Sequence, residues 1–154
     1  MESGPTLEKD TFISFEINQV YPRLYQGSYE GAQSWSDIKG LKITHIINLV
    51  PEMRNTHGRR GINYYNMKLD DTLEQDLREA LKETNYTIDK ILKENNTNRV
   101  LVHCLHGKSR SGAVVCAYVM NKEKWDYTTA SKFCKRGRPQ FEPNQNFEGQ
   151  LIAR

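Results

Sequence analysis

Arg99-Val100-Leu101-Val102-His103-Cys104-Leu105-His106-Gly107-Lys108-Ser109-Arg110-Ser111-Gly112 is the stretch on which the reading of this chain turns. Arg99 to His103 is a short apolar strand. From Gly112 to Asn121 the chain is apolar almost all round, through Ala113, Val114, Val115, Cys116, Ala117, Val119 and Met120, as befits a buried central helix. A strand that turns straight into a helix puts its connecting loop at the strand's carboxyl end. That is where α/β sheets hold their ligands.

The residues of the loop are suited to a tetrahedral oxyanion. Five residues separate Cys104 from Arg110, enough for one ring of backbone. The N–H groups of Leu105, His106, Gly107, Lys108, Ser109 and Arg110 can turn inward as an anion nest. The helix start adds partial positive charge at the same place. Gly107 and Gly112 permit backbone positions closed to other residues. Arg110 can grip two oxygens through its planar fork, a geometry lysine does not copy. The field that holds a phosphate also favours a thiolate, the nucleophilic form of cysteine. Cys104 is thus the candidate nucleophile, forming a phosphocysteine intermediate. Ser111 can donate a hydrogen bond to the sulfur as it departs. His103 is expected to face away and tie the loop to the scaffold.

Outward from the loop, strands and helices alternate. Phe12 to Ile17 alternates as an edge strand would. Leu24-Tyr25 opens a strand that Gly27 stops, and residues 29–39 form a short helix. Lys42 to Val50 is β-branched and reads as a buried strand. After a charged loop comes a strand from Ile62 to Leu69. Asp70-Asp71-Thr72, with Glu74 or Gln75 three residues on, predicts a capping box. The helix it would open carries Leu73, Leu77, Ala80, Leu81, Thr84, Ile88, Ile91 and Leu92 on one face. Asp126 can cap a helix that stops at Gly137, and Pro143-Asn144 starts a last one. The pattern predicts one α/β domain over residues 11–154, a mostly parallel sheet of about five strands flanked by helices, behind a loose N-terminus of residues 1–10.

Composition narrows the chemistry. The chain has 154 residues and a net charge of +3, a bias that suits an anionic ligand but gives little support for nucleic acid. No apolar run approaches the roughly 20 residues of a membrane helix, so no membrane partner is expected. No signal peptide is visible, and Cys104, Cys116 and Cys134 form neither a disulfide framework nor a zinc site. A reducing, cytoplasmic location follows, with the nucleus open to so small a domain. Cys116 and Cys134 read as packing residues, although a regulatory disulfide from Cys104 to one of them is conceivable. Lys135-Arg136-Gly137-Arg138 reads as cations at a helix C-terminus. No cofactor or metal is called for.

His103-Cys104 followed by Gly107, Arg110, Ser111 and Gly112 resembles the signature loop of the cysteine-based protein tyrosine phosphatases. Leu24-Tyr25-Gln26-Gly27-Ser28, Ile43 to Leu49 and Pro143-Asn144 through Leu151 resemble the small, atypical dual-specificity branch. The likeness covers about residues 12–151 and implies the phosphotyrosine protein phosphatase-like fold. It also implies a shallow pocket for phosphotyrosine, phosphoserine and phosphothreonine on protein substrates. The leaving group needs a proton, for which Asp70 and Asp71 are both candidates. The family places its acid just before the turn at Thr72, which favours Asp71. Asn144 matches an asparagine that supports the loop from behind, or it caps its own helix. Lys108 and His106 could meet a second anionic group or stand in solvent. Rival substrates are RNA 5′ triphosphates, phosphoinositides and phosphoglucan. A phosphate-binding pseudophosphatase is a further rival, set against by the presence of both Cys104 and Arg110.

Overall fold

A computed structural model describes residues 4–154. Five strands form one sheet in the order β1-β2-β5-β3-β4: β1 Ile17–Tyr21, β2 Leu24–Gly27, β3 His45–Asn48, β4 Asn63–Asn66 and β5 Val100–His103. Only the β1/β2 pair is antiparallel; β2/β5, β5/β3 and β3/β4 are parallel. The helices are α1 Tyr29–Gln33, α2 Trp35–Gly40, α3 Arg78–Glu94, α4 Arg110–Glu123, α5 Tyr127–Gly137 and α6 Gln145–Ile152.

Period-two alternation of the strands feeds two apolar clusters, one on each face of the sheet. Leu24, Ile47, Val100 and Val102 join the cluster under α3, α4, α5 and α6. Tyr25, Ile46 and Leu101 join the smaller cluster under α1 and α2. β2, β3 and β5 are buried along their whole length. β5 lies at the centre of the sheet and runs straight into the loop before α4. The buried helix expected after Gly112 is α4, whose residues Ser111 to Met120 are all buried.

Several expectations need correction. The strand expected over Phe12 to Ile17 begins only at Ile17. Ser14 bends the chain before it: its Oγ donates to Asp37 Oδ2 and accepts from the N–H groups of Glu16 and Ile17. The helix expected over 29–39 is broken at Ser34, which ends α1 and caps α2. Residues 4–10 have no regular structure but are held rather than loose. The Asp10 carboxylate accepts from Arg99 Nη1, the Tyr25 hydroxyl and Gln19 Nε2 at 2.8–2.9 Å. Residues 1–3 of that expected loose N-terminus lie outside the described residues.

The largest correction concerns the segment before α3. The capping box at Asp70-Asp71-Thr72 opens no helix; α3 starts at Arg78. Only half of a box forms: Gln75 N–H donates to Thr72 Oγ1, but Gln75 Oε1 accepts from Asp70 N–H and not from that of Thr72. The backbone of Gln75 and Leu77 is instead bonded to side chains of α6. Leu73, assigned to the apolar helix face, is 67% exposed. Among the described residues no helix is long and apolar enough to cross a membrane.

Candidate active site

The loop from Cys104 to Ser109 stands at the carboxyl end of β5, in the middle of the sheet. Among the described residues, none of the backbone N–H groups from Leu105 to Arg110 donates a hydrogen bond within the protein. Those donors are unspent, beside the start of a 14-residue helix whose dipole favours an anion. Cys104 is only 2% exposed, yet it lines a cleft of about 370 Å³ with Asp71, His106, Lys108, Arg110 and Asn144.

The sulfur sits among polar groups. Cys104 Sγ–H donates to Ser111 Oγ at 3.2 Å, and Ser111 N–H reaches the sulfur at 3.4 Å. Gln26 completes this arrangement from β2. Its Nε2 donates to Ser111 Oγ and to the Gly107 carbonyl, both at 3.1 Å. A hydroxyl that accepts from Gln26 is left with its own proton to turn toward a thiolate. Arg110 Nη1 donates to the Leu69 carbonyl at 3.2 Å, while its Nε is buried and finds no partner among the described residues. A buried orphan guanidinium donor is costly unless an anion meets it.

Asp71 faces the same cleft. Its Oδ1 accepts from Ser109 Oγ at 2.7 Å and Asn144 Nδ2 at 2.8 Å. Both bonds fall on one oxygen; among the described residues no group donates to Oδ2. Asn144 N–H donates to Ser109 Oγ, which fixes the direction of the Ser109 proton toward Asp71. Asn144 also caps α6 through Oδ1, accepting from Phe147 N–H at 2.8 Å, while its Nδ2 reaches Asp71 and Thr72 and only its backbone N–H reaches the loop, at Ser109. Asp70 is absent from the cleft lining.

The model of the dual specificity phosphatase catalytic domain matches residues 24–154. The chain belongs to the dual specificity phosphatase family. It is 35% identical over 140 residues to human dual specificity protein phosphatase 9, covering 90% of this chain and 36% of that one. It is 34% identical over 152 residues to the Arabidopsis thaliana protein-tyrosine-phosphatase IBR5, covering 98% of this chain and 56% of the relative. The chain thus spans about a third to just over half of the length of these two relatives. Human DUSP28 superposes with a TM-score of 0.82 at 25% identity, over 92% of this chain and 93% of that one. A mouse phosphatase structure complexed with zinc tungstate gives 0.82 at 25% identity, over 96% and 91%.

Within this dual specificity phosphatase domain the structure brings Cys104, Arg110, Ser111, Asp71 and Asn144 to one place. His103 lies behind the loop, buried, with Nδ1 against the Cys104 carbonyl at 3.2 Å. His106 and Lys108 are exposed at the cleft mouth. Gly112 is corrected: it has no positive φ, and its missing Cβ makes room for the Phe141 ring, 3.3 Å from where that atom would stand. Gly107 does need its freedom, with φ at +68° and an added Cβ falling 2.6 Å from the Gly27 backbone. Gly107→Ala is therefore expected to displace the loop and lower the melting temperature, measured by thermal unfolding beside the wild type.

Two supports escaped the sequence reading. Gln26 gave no signal beyond its place in a strand. Arg138 reads from sequence as a helix-end cation, but it is 1% exposed behind the loop. Its Nε donates to the Gly107 carbonyl and its Nη1 to Asn18 Oδ1, both at 2.7 Å. Burial lowers its pKa, against the opposing pull of Glu16 and Cys104. Lys135 lies in the last turn of α5, but its ammonium donates to the carbonyls of Pro139 and Phe141 beyond the helix. Cys116 and Cys134 are both fully buried, and the neighbouring Cys116 together with burial pushes the Cys134 thiol up.

Burial holds the His103 pKa down, to about 4 from an ordinary 6.5. A histidine that is neutral when folded binds fewer protons than in the unfolded chain, so stability falls with pH. The loss begins near pH 6.5 and is complete below about pH 4. It amounts to about 3 kcal/mol by linkage. Urea unfolding between pH 7 and pH 4 measures it; His103→Asn should flatten the slope.

Proposed function

We propose that the domain hydrolyses phosphate monoesters of tyrosine, serine and threonine on proteins through a phosphocysteine on Cys104. The observation that carries this reading is the cup of unspent amides, orphan guanidinium and polar-bonded sulfur around one cleft. Cys104 thiolate attacks phosphorus and the ester P–O bond breaks. Asp71 Oδ2 gives its proton to the departing oxygen. Water then attacks the phosphocysteine and the S–P bond breaks. The Asp71 carboxylate takes the water's proton, and the Ser111 hydroxyl donates to the leaving sulfur. Arg110 and the loop amides hold the three non-bridging oxygens throughout. The names of the relatives and the likeness to a structure holding tungstate, itself a tetrahedral oxyanion, support the reading. A reducing compartment such as the cytoplasm suits a mechanism that needs a free thiol.

The test is a substrate panel: phosphotyrosine, phosphoserine and phosphothreonine peptides against phosphoinositide, phosphoglucan and 5′-triphosphate RNA, with Cys104→Ser as control. Preference for the peptides is expected. A higher kcat/KM on any non-protein substrate would move the assignment there. No turnover by the wild type, with retained binding of a phosphopeptide, would favour a pseudophosphatase.

The role of Asp71 has its own readout. Asp71→Asn should lower kcat on a phosphoserine peptide by about 100-fold, in the range of a lost general acid. p-Nitrophenyl phosphate, whose leaving group needs little protonation, should lose far less. Equal losses on both substrates would remove Asp71 from the acid's role.

A further inference from the structure

Asp71 lies on segment 70–77, which has no regular structure of its own apart from turns. α6 holds that segment by a ladder of amide side chains. Asn144 Nδ2 donates to the Thr72 carbonyl at 3.2 Å, beside its bond to Asp71. Asn146 Nδ2 donates to the carbonyls of Thr72 at 3.2 Å and Gln75 at 2.9 Å. Gln150 Nε2 donates to Gln75 O at 2.8 Å, and its Oε1 accepts from Leu77 N–H at 2.9 Å. Gln150 Nε2 also donates to Asn146 Oδ1 at 2.9 Å, so the two amides fix each other's orientation.

We infer that Asn146 and Gln150 are positioning residues for the general acid: by clamping segment 70–77 to α6 they set Asp71 at the cleft before substrate arrives. The inference rests on the acid role of Asp71 given above. Two features of the fold favour it. Each clamping bond spends a backbone group that a helix starting at Thr72 would have used, so the clamp keeps the segment extended from α3. Neither residue lines the catalytic cleft, so neither can act on substrate directly. The clamp also borders a surface cleft of about 490 Å³. Replacing its side chains therefore opens no buried cavity.

Asn146→Asp separates positioning from folding. A carboxylate in the first turn of α6 suits the helix dipole, but it cannot donate to the Thr72 and Gln75 carbonyls. Gln150→Ala removes the other half of the clamp. Each variant should lose kcat on a phosphoserine peptide at least about tenfold more than on p-nitrophenyl phosphate, since small misplacements of a reacting group are costly. In an Asp71→Asn background that difference should vanish, because there is no acid left to position.

A loss of equal size on both substrates would overturn the proposal, as would the same split with Asp71 absent. A wild-type ratio in both variants, with circular dichroism unchanged, would overturn it too. If Asp71→Asn itself showed no leaving-group dependence, the acid assignment would fall first. That outcome is distinct from a clamp that does not matter.

Discussion

Cys104→Ser should reduce turnover of any phosphopeptide by at least about 10,000-fold, the scale of losing a covalent nucleophile. Serine keeps the size and polarity of the side chain, but its hydroxyl is a far weaker nucleophile without an adjacent base. Among the described residues, the only side-chain groups bonded at that position are Ser111 Oγ and, through it, Gln26. Neither is a base. The anion cup survives the change, because its parts are backbone amides and Arg110. The variant should therefore still bind tungstate or a phosphopeptide within a few fold of the wild type. Single-turnover rates and calorimetric titration measure the two effects separately. Turnover within tenfold of the wild type would mean that the sulfur is not the attacking atom.

Arg110→Lys should cost about 100- to 1,000-fold in kcat/KM, comparable to losing a key oxyanion donor. The charge is conserved; the fork is not. Arg110 reaches the Leu69 carbonyl through Nη1 and leaves Nε buried without a partner among the described residues. One ammonium could not both hold that carbonyl, at the threshold of the acid segment, and grip two phosphate oxygens. The loss should divide between KM and kcat, since the same oxygens are held in the ground and transition states. Steady-state kinetics on one phosphopeptide, with inhibition by inorganic phosphate as a measure of binding, would show the division. A loss under threefold would mean that charge alone suffices.

The proposed nucleophile and its loop were readable because their requirements are local. A ring of amides, a helix start and an arginine one turn along the chain from the cysteine are contiguous in sequence. Thus the loop from Cys104 to Arg110 could be located without coordinates. The strands were readable for a related reason: Val100 to Val102 and Ile46 to Ile47 are so apolar that no exposed conformation suits them. Asp71 was half readable, as one of two aspartates beside a turn; a resemblance, not a pattern, favoured it over Asp70.

Local pattern failed where distant groups compete for the backbone. Half of the capping box at Asp70 to Gln75 forms, the bond from Gln75 N–H to Thr72 Oγ1, while Gln75 Oε1 turns to Asp70 N–H. Yet no helix follows, because Asn146 and Gln150 from the far end of the chain take the carbonyl of Gln75 and the amide of Leu77. Arg138 was misread for the same reason. Beside Lys135 and Arg136 it looks like one more helix-end cation, and only packing shows it buried against Gly107.

By itself, then, the sequence determined the α/β domain, the strand-to-helix loop, and Cys104 with Arg110 as its proposed reactive pair, since neighbouring residues set all three. The tertiary structure alone decided which oxygen of Asp71 is free, that Gln26 and Arg138 brace the loop, and that α6 holds the acid segment. Those depend on hydrogen bonds between groups as far as 120 residues apart, and no local pattern of side chains encodes which distant donor a carbonyl will meet.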